Sequence, residues 1–348
     1  ADATVAVVSF EGLVVFRGDL GSASVDVGSG GAFSIAASSA SGVAIANAGS
    51  LAIFDLARMP AGDFSNISGA GSSTAFVARD LTFTGDLGPL GLNVGAGATF
   101  TASAAVLDGV AASGTGALAV TGLAGTPNAD LSGLAVDLVT IAVAADAVFT
   151  GTLPVGAVVS VGASGSLTAS AAKLAGVFVT GPGDVTATGL TATSDLSLLR
   201  TSGSVTGEVA SGTVDLTGAR LGVSDLNIAG GATVTLTAAQ ADGRTITGGG
   251  SLRITDVAAA PDADLSKIAD SIFLIDTAPQ VTLGVLGVND VINADTVEGG
   301  VTITGTVADA AGDALANQAV TLTVGDLSFL VLSNADGAFS VSVPLSVF

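Results

Sequence analysis

Histidine, cysteine, tryptophan and tyrosine are absent from this 348-residue chain, and methionine occurs once. Without His and Cys there is no side chain that ordinarily changes charge near neutral pH, no thiolate nucleophile and no soft metal ligand. Ser-His-Asp and Cys-His catalysis, zinc sites and disulfides are therefore excluded. Cations are scarce too, since 9 Lys and Arg stand against 30 Asp and Glu, a net charge of −21. Such a polyanion cannot displace counterions from phosphates, which argues against a nucleic-acid partner. No apolar run approaches the roughly 20 residues of a membrane-spanning helix. The chain opens with neither Met nor a basic leader, as a mature or trimmed product would.

What is present should fold. Disorder needs low hydrophobicity, whereas 49% of the residues are apolar and the mean hydropathy is +0.75. The string FSIAASSASG begins at Phe33 and returns as FTASAAVLDG at Phe100, LTASAAKLAG at Leu167 and VTLTAAQADG at Val234, 67 residues apart each time. Gly49, Gly116, Gly183 and Gly250 keep the same interval, and Gly18, Gly85, Gly151 and Gly218 keep it within one residue. Phe16, Phe83 and Phe149 precede the first three of that last set. A fixed period of this kind means stacked copies of one supersecondary unit.

Segments such as VTLTAAQ, SLRITDV and SVTGEV alternate apolar and polar residues between Gly, Asp and Asn, the pattern of strands. Strand starts near Ser166, Asp184, Ser204 and Thr233 divide one period into three rungs. The expected fold is all-β, a parallel β-solenoid of about twelve coils in four 67-residue repeats, a rod of roughly 55 to 60 Å at about 4.8 Å per coil. A four-bladed propeller is the competing arrangement, but 67 residues is long for a blade and no Trp-Asp signature exists. The solenoid is placed at 1–284, with repeats at about 16–82, 83–148, 149–215 and 216–284 and an N-terminal cap or donor segment at 1–15. Residues 285–300 read as a linker.

The last segment differs. It contains a G-T-V strand, a D-x-x-G-x-x-x-x-N turn at 309–317, the strand AVTLTV and an A-D-G-x-F hairpin at 335–339. These elements resemble the immunoglobulin-like modules of giant bacterial adhesins and the related carboxypeptidase-regulatory-like sandwiches. The resemblance covers about 50 residues and implies a small, incomplete Ig-like β-sandwich over 301–348, short of two or three strands. A half sandwich exposes edges and apolar faces that favour pairing with something else. Thr4, Val5, Val7, Val8, Leu13, Val14, Val15 and Phe16 are apolar enough to act as a donor strand for self-association, although a first, capping coil is the simpler role.

Carboxylates are the only plentiful chemical group. Asp63, Asp130, Asp195 and Asp264 recur once per repeat, about three coils or 14 Å apart, too far for an acid and base pair and suited to forming turns. Calcium is the cofactor that fits hard oxygen ligands. The adhesin resemblance implies a calcium site between modules, for which Asp290, Asn293, Asp295 and Glu298 are the candidates. Arg17-Gly18-Asp19 and the sequon Asn66-Ile67-Ser68 are short motifs with no support from their repeat counterparts or context. Thr-x-Thr pairs such as Thr233 and Thr235, or Thr245 and Thr247, are expected out of register from coil to coil, against ice binding. The Cys-poor, Gly-, Ala- and Thr-rich composition resembles large secreted bacterial surface proteins. The sequence thus points to an extracellular, non-enzymatic structural protein that self-associates into a filament, surface layer or matrix. The alternatives are a stalk segment of a giant adhesin, partnered by neighbouring modules, and a carbohydrate-binding or carbohydrate-active solenoid.

Overall fold

The computed structural model describes residues 4–7, 13–269, 272–275, 280–284, 300–308 and 314–344. Strands account for 49% and helices for 8% of an all-β chain built as a parallel β-solenoid of about 12 turns, followed by small antiparallel sheets. Two compact units are present, residues 1–210 with 218–227 and residues 211–217 with 228–348.

In the first unit each short strand lies parallel to the strand one turn earlier. Ser24–Val27 pairs with Thr4–Val7, and Ile45–Asn47 with Ser24–Val27. On the next side, Ala32–Ala36 pairs with Leu13–Phe16, and Ser50–Phe54 with Ala32–Ala36. The period-two pattern is why these segments are strands: Val25, Val27, Phe33, Ile35, Leu51 and Ile53 point into a dry interior and are buried. A third side closes the turn with loop or a single helical turn, such as Ala37–Ala40, Ala104–Leu107 and Ala171–Leu174. Ala37, Ala40, Ala104 and Ala171 are buried there, small enough for the helix backbone to lie close to the core.

The three rungs expected in each repeat are present, with one further side. The third turn carries strands on all three sides, Ile67–Ser68, Ser72–Val77 and Leu81–Thr82. Ser72–Val77 pairs backward with Ser50–Phe54 through 72–75 and forward with Gly91–Val94 through 74–77. Leu81–Thr82 in turn receives Thr99–Ser103. Gly91–Val94 and Thr99–Ser103 are the counterparts, 67 residues on, of Ser24–Val27 and Ala32–Ala36, so the second repeat starts one side further round than the first. The next boundary repeats the shift, with Val158–Val161 on Leu134–Val143 and Ser166–Ser170 on Ala147–Phe149. A repeat therefore comprises two three-sided turns and one turn plus a side, 3 + 3 + 4 = 10 sides, or three and a third turns.

The interior is filled by Leu, Val, Ile, Ala and a few Phe. Phe64, Phe83 and Phe100 are buried on successive turns, with ring centroids 6.4 Å and 5.8 Å apart. Asn47 is the one amide among the buried polar residues of the described segments. Its Nδ2 donates to the Ser72 carbonyl and to Ser73 Oγ, and its Oδ1 accepts from the Gly49 amide, so no polar atom is stranded. Its counterparts Gly114 and Gly181 hold φ of +115° and +104° at the bend between two sides, where a Cβ would meet the carbonyl oxygen of Val94 or Val161.

In the second unit Thr213–Asp215, Thr233–Thr237, Ser251–Thr255 and Phe273–Ile275 continue the parallel pattern. Pairing is antiparallel from Gln280–Leu283 onward, which lies against Gly305 to Ala308 rather than on a solenoid coil. The solenoid boundary expected at 284 is thus too late, because a short alternating strand reads the same in both settings. Val301–Ala308 also pairs with Ala338–Val343, and Ala319–Val324 with Leu327–Leu332 forms a hairpin. The two small sheets share a core in which Val301, Ile303, Val341 and Val343 meet Leu322, Val324, Phe329 and Val331.

Candidate functional site

The N-terminal segment singled out for self-association is the first turn of the ladder. Thr4, Val5 and Val7 lie in the strand paired with Ser24–Val27, and Leu13, Val14, Val15 and Phe16 in the strand paired with residues 32–35. Val14 and Phe16 are half-buried, and the Phe16 ring lies 6.4 Å from that of Phe33, whereas Val15 is 47% exposed. Among the described residues no strand pairs with the outer edge of either segment. Val8 lies outside the described residues, as do the calcium candidates Asp290, Asn293, Asp295 and Glu298.

The recurring aspartates are turn formers. Asp63 Oδ1 accepts from the Ser65 amide at 3.0 Å and from Ser65 Oγ at 2.6 Å. Asp130 with Ser132, and Asp195 with Ser197, make the same pair of bonds, and Asp215 makes it with Thr217. Ser266 donates its amide to Asp264 in the fourth copy. The serine hydroxyl, then the serine amide, holds Asp63, Asp130, Asp195 and Asp264 below the usual carboxylate range because both bonds favour the charged form. For Asp184 and Asp215 the backbone amides of Ser204 and Thr217 act first and the hydroxyls second. A lowered carboxylate is a poor general acid.

The side-by-side shift changes the geometry expected for these groups. Asp63, Asp130 and Asp195 are not stacked along one edge, since each repeat starts one side further round and is about 16 Å, not 14 Å, along the ladder. Other aspartates fill the intervening turns instead. Asp63 is bridged to Asp86, and Asp108 Oδ1 accepts from the Asp130 amide at 2.7 Å, so residues 63, 86, 108 and 130 put one carboxylate on each of four turns. Sequence spacing missed Asp86 and Asp108 because they lie in unlike positions of the repeat. Asp86 and Asp108 line a shallow cleft of about 300 Å³ with Gly85, Gly88, Ala105 and Val106. No cation lines it, and no set of three or more carboxylates among the described residues is placed to hold a metal ion.

Among the described residues hydroxyls come into register on three successive turns at two places. Thr168, Thr186 and Thr206 form a column on three turns, flanked by Ser170, Thr188 and Glu208. Thr213, Thr233 and Ser251 form the second, so Thr233 is in register against expectation, whereas Thr235 lies between Asp215 and Arg253. Each array is interrupted by charge.

An opening lies in the antiparallel module, a cleft of about 690 Å³ lined by Leu283, Gly305, Val331, Leu332 and Phe339. Val281 and Leu283 sit opposite Val307 and Gly305 and share their face of the sheet. Val307 is buried under the hairpin, yet Val281 and Leu283 remain 50% and 49% exposed. The hairpin covers two of the three strands and leaves the third bare. The cleft was legible only as a module judged too short. No helix among the described residues is long and apolar enough to cross a membrane.

No known protein family, no curated protein and no solved structure matches this chain.

Proposed function

We propose that the chain is an extracellular, non-enzymatic structural protein in which the solenoid is the rigid element and the C-terminal module, an incomplete Ig-like sandwich, is the joint through which copies associate into a filament, surface layer or matrix. The observation that carries this reading is the bare inner face at Val281 and Leu283, beside a strand, Leu327–Leu332, that is paired on one edge only among the described residues. Uncovered apolar surface next to a free strand edge is the surface on which a further strand adds. The solenoid supports the structural half of the reading, because backbone ladders running through about 12 turns resist bending. Calcium at Asp290, Asn293, Asp295 and Glu298, which fall in sequence between the paired strands Gln280–Leu283 and Val301–Ala308, would brace the module itself.

Electron microscopy of the purified chain is the test, and ordered polymers are the expected result. A V281T/L283T variant should leave the thermal transition of the solenoid in place and reduce the polymers. Isolated particles for both proteins would remove the joint and favour the second reading, a stalk segment of a longer adhesin-type surface protein. The Asp86 and Asp108 cleft is the observation that keeps a carbohydrate-binding solenoid as a third. Titration calorimetry with oligosaccharides distinguishes it by heat that vanishes in a D86N/D108N variant.

A further inference from the structure

We infer that repeat copy number sets the direction in which the following part of the chain faces as well as its distance, because the 67-residue repeat is a screw unit of three and a third turns. Two features of the ladder carry this. The strand Ser72–Val77 is two-sided, accepting 50–53 on one edge and offering 74–77 to Gly91–Val94 on the other. The short strand Leu81–Thr82 opens a new column on a side that until then held loop and single helical turns, and Thr99–Ser103 enters it. Ala147–Phe149 repeats the device for Ser166–Ser170. Each repeat thus ends in the same two-strand platform that its successor needs, one side further round. One copy adds or removes about 16 Å and a third of a turn at about 4.8 Å per turn. Three copies restore the original direction. A whole turn removed from within a repeat, by contrast, shortens the ladder without rotating it.

This does not depend on whether the chain polymerises, and the absence of native cysteine makes it directly testable. Residues 95–161, one repeat, are removed so that Val94 is joined to Gly162, recreating the native Val-Gly step found at 94–95 and 161–162. In the shortened chain Ser166–Ser170 must enter the column opened by Leu81–Thr82, with Thr168 in the place of Thr101 beside Thr82. A T82C/T168C pair should then oxidise to a disulfide in the shortened chain, since in-register parallel neighbours lie within the Cα separation a disulfide tolerates. The same pair should stay reduced in the full chain, where Thr168 sits beside Val148. The full chain supplies a second measurement that needs no deletion. T82C/T101C should cross-link, whereas T74C/T101C, the pair that three whole turns per repeat would bring together by extending the Ser34, Ala52, Thr74 column, should not. A T74C/T101C cross-link overturns the rotation. An unfolded deletion variant, or a folded one without the T82C/T168C bond, overturns the interchangeability of repeats.

Discussion

Replacing Phe83 by Ala tests whether the aromatic stack inside the first unit is a local reinforcement of the ladder. Phe83 is 1% exposed and sits between Phe64 and Phe100, at centroid distances of 6.4 Å and 5.8 Å and interplanar angles of 18° and 29°. Phe149 occupies the corresponding place one repeat later, is equally buried, and has no aromatic ring stacked on it among the described residues. Truncating either side chain leaves a cavity worth about 3 to 5 kcal/mol. Only Phe83→Ala also loses two ring contacts, at about 0.5 to 1.5 kcal/mol each. The expected difference is roughly 1 to 3 kcal/mol, with F83A the less stable. Urea unfolding followed by far-ultraviolet circular dichroism gives the comparison, and hydrogen exchange locates it, because in a stack where each turn touches only its neighbours the loss should concentrate in residues 64–103. Equal destabilisation by F83A and F149A, or exchange that rises evenly along the ladder, refutes the reasoning.

Acid stability follows from the aspartate turns. Asp63, Asp130 and Asp195 titrate lower in the folded chain than the ordinary value of 3.8, so their contribution is fully present above that value and disappears as pH falls through the lower folded values. An S65A/S132A/S197A variant should therefore melt below wild type at pH 6, with the gap closing under acid, and a gap independent of pH contradicts the assignment. Gly181→Ala forces a Cβ onto the Val161 carbonyl at φ +104° and should cost about 1 to 3 kcal/mol. Gly176→Ala, at φ +75° with open space around it, should cost less in the same unfolding assay. Calcium titrated into the chain should release heat and raise the melting temperature if residues 290–298 ligate it, and a flat calorimetric trace removes that site.

The stacking was legible in the sequence because burial and period agree: one residue in two faces the core, and the same glycines and leucines return every 67 positions. The extra third of a turn was not, since strand starts count residues along the chain and do not say which earlier strand lies beneath. The residues responsible are Leu81–Thr82 and Ala147–Phe149, two or three residues long, too short for a period-two pattern to register. Their trace was nonetheless there in the recurring Phe83 and Phe149 followed two residues later by Gly85 and Gly151. Asp63 and its counterparts were read correctly as turn formers, because Asp followed two residues on by Ser presents its own amide and hydroxyl to the carboxylate whatever surrounds it. Gln280–Leu283 was misassigned for the opposite reason, since four residues carry no information on the direction of the partner strand.

Rotation also bears on which functions the ladder can serve. A surface that recognises a regular lattice must present its groups in one plane, turn after turn. In the first unit the outward hydroxyls of Thr99, Thr101 and Ser103 lie in the column that begins at Leu81–Thr82, whereas those of Ser166, Thr168 and Ser170 lie in the column that begins at Ala147–Phe149, one side away. Equivalent chemistry is dispersed around the axis rather than accumulated along it. What does run unbroken from turn to turn is the backbone hydrogen bonding and the apolar interior, neither of which can recognise anything outside. These continuous features are mechanical, as the proposed structural role requires, and the uncovered face at Val281 and Leu283 is the surface through which the proposed joint would act.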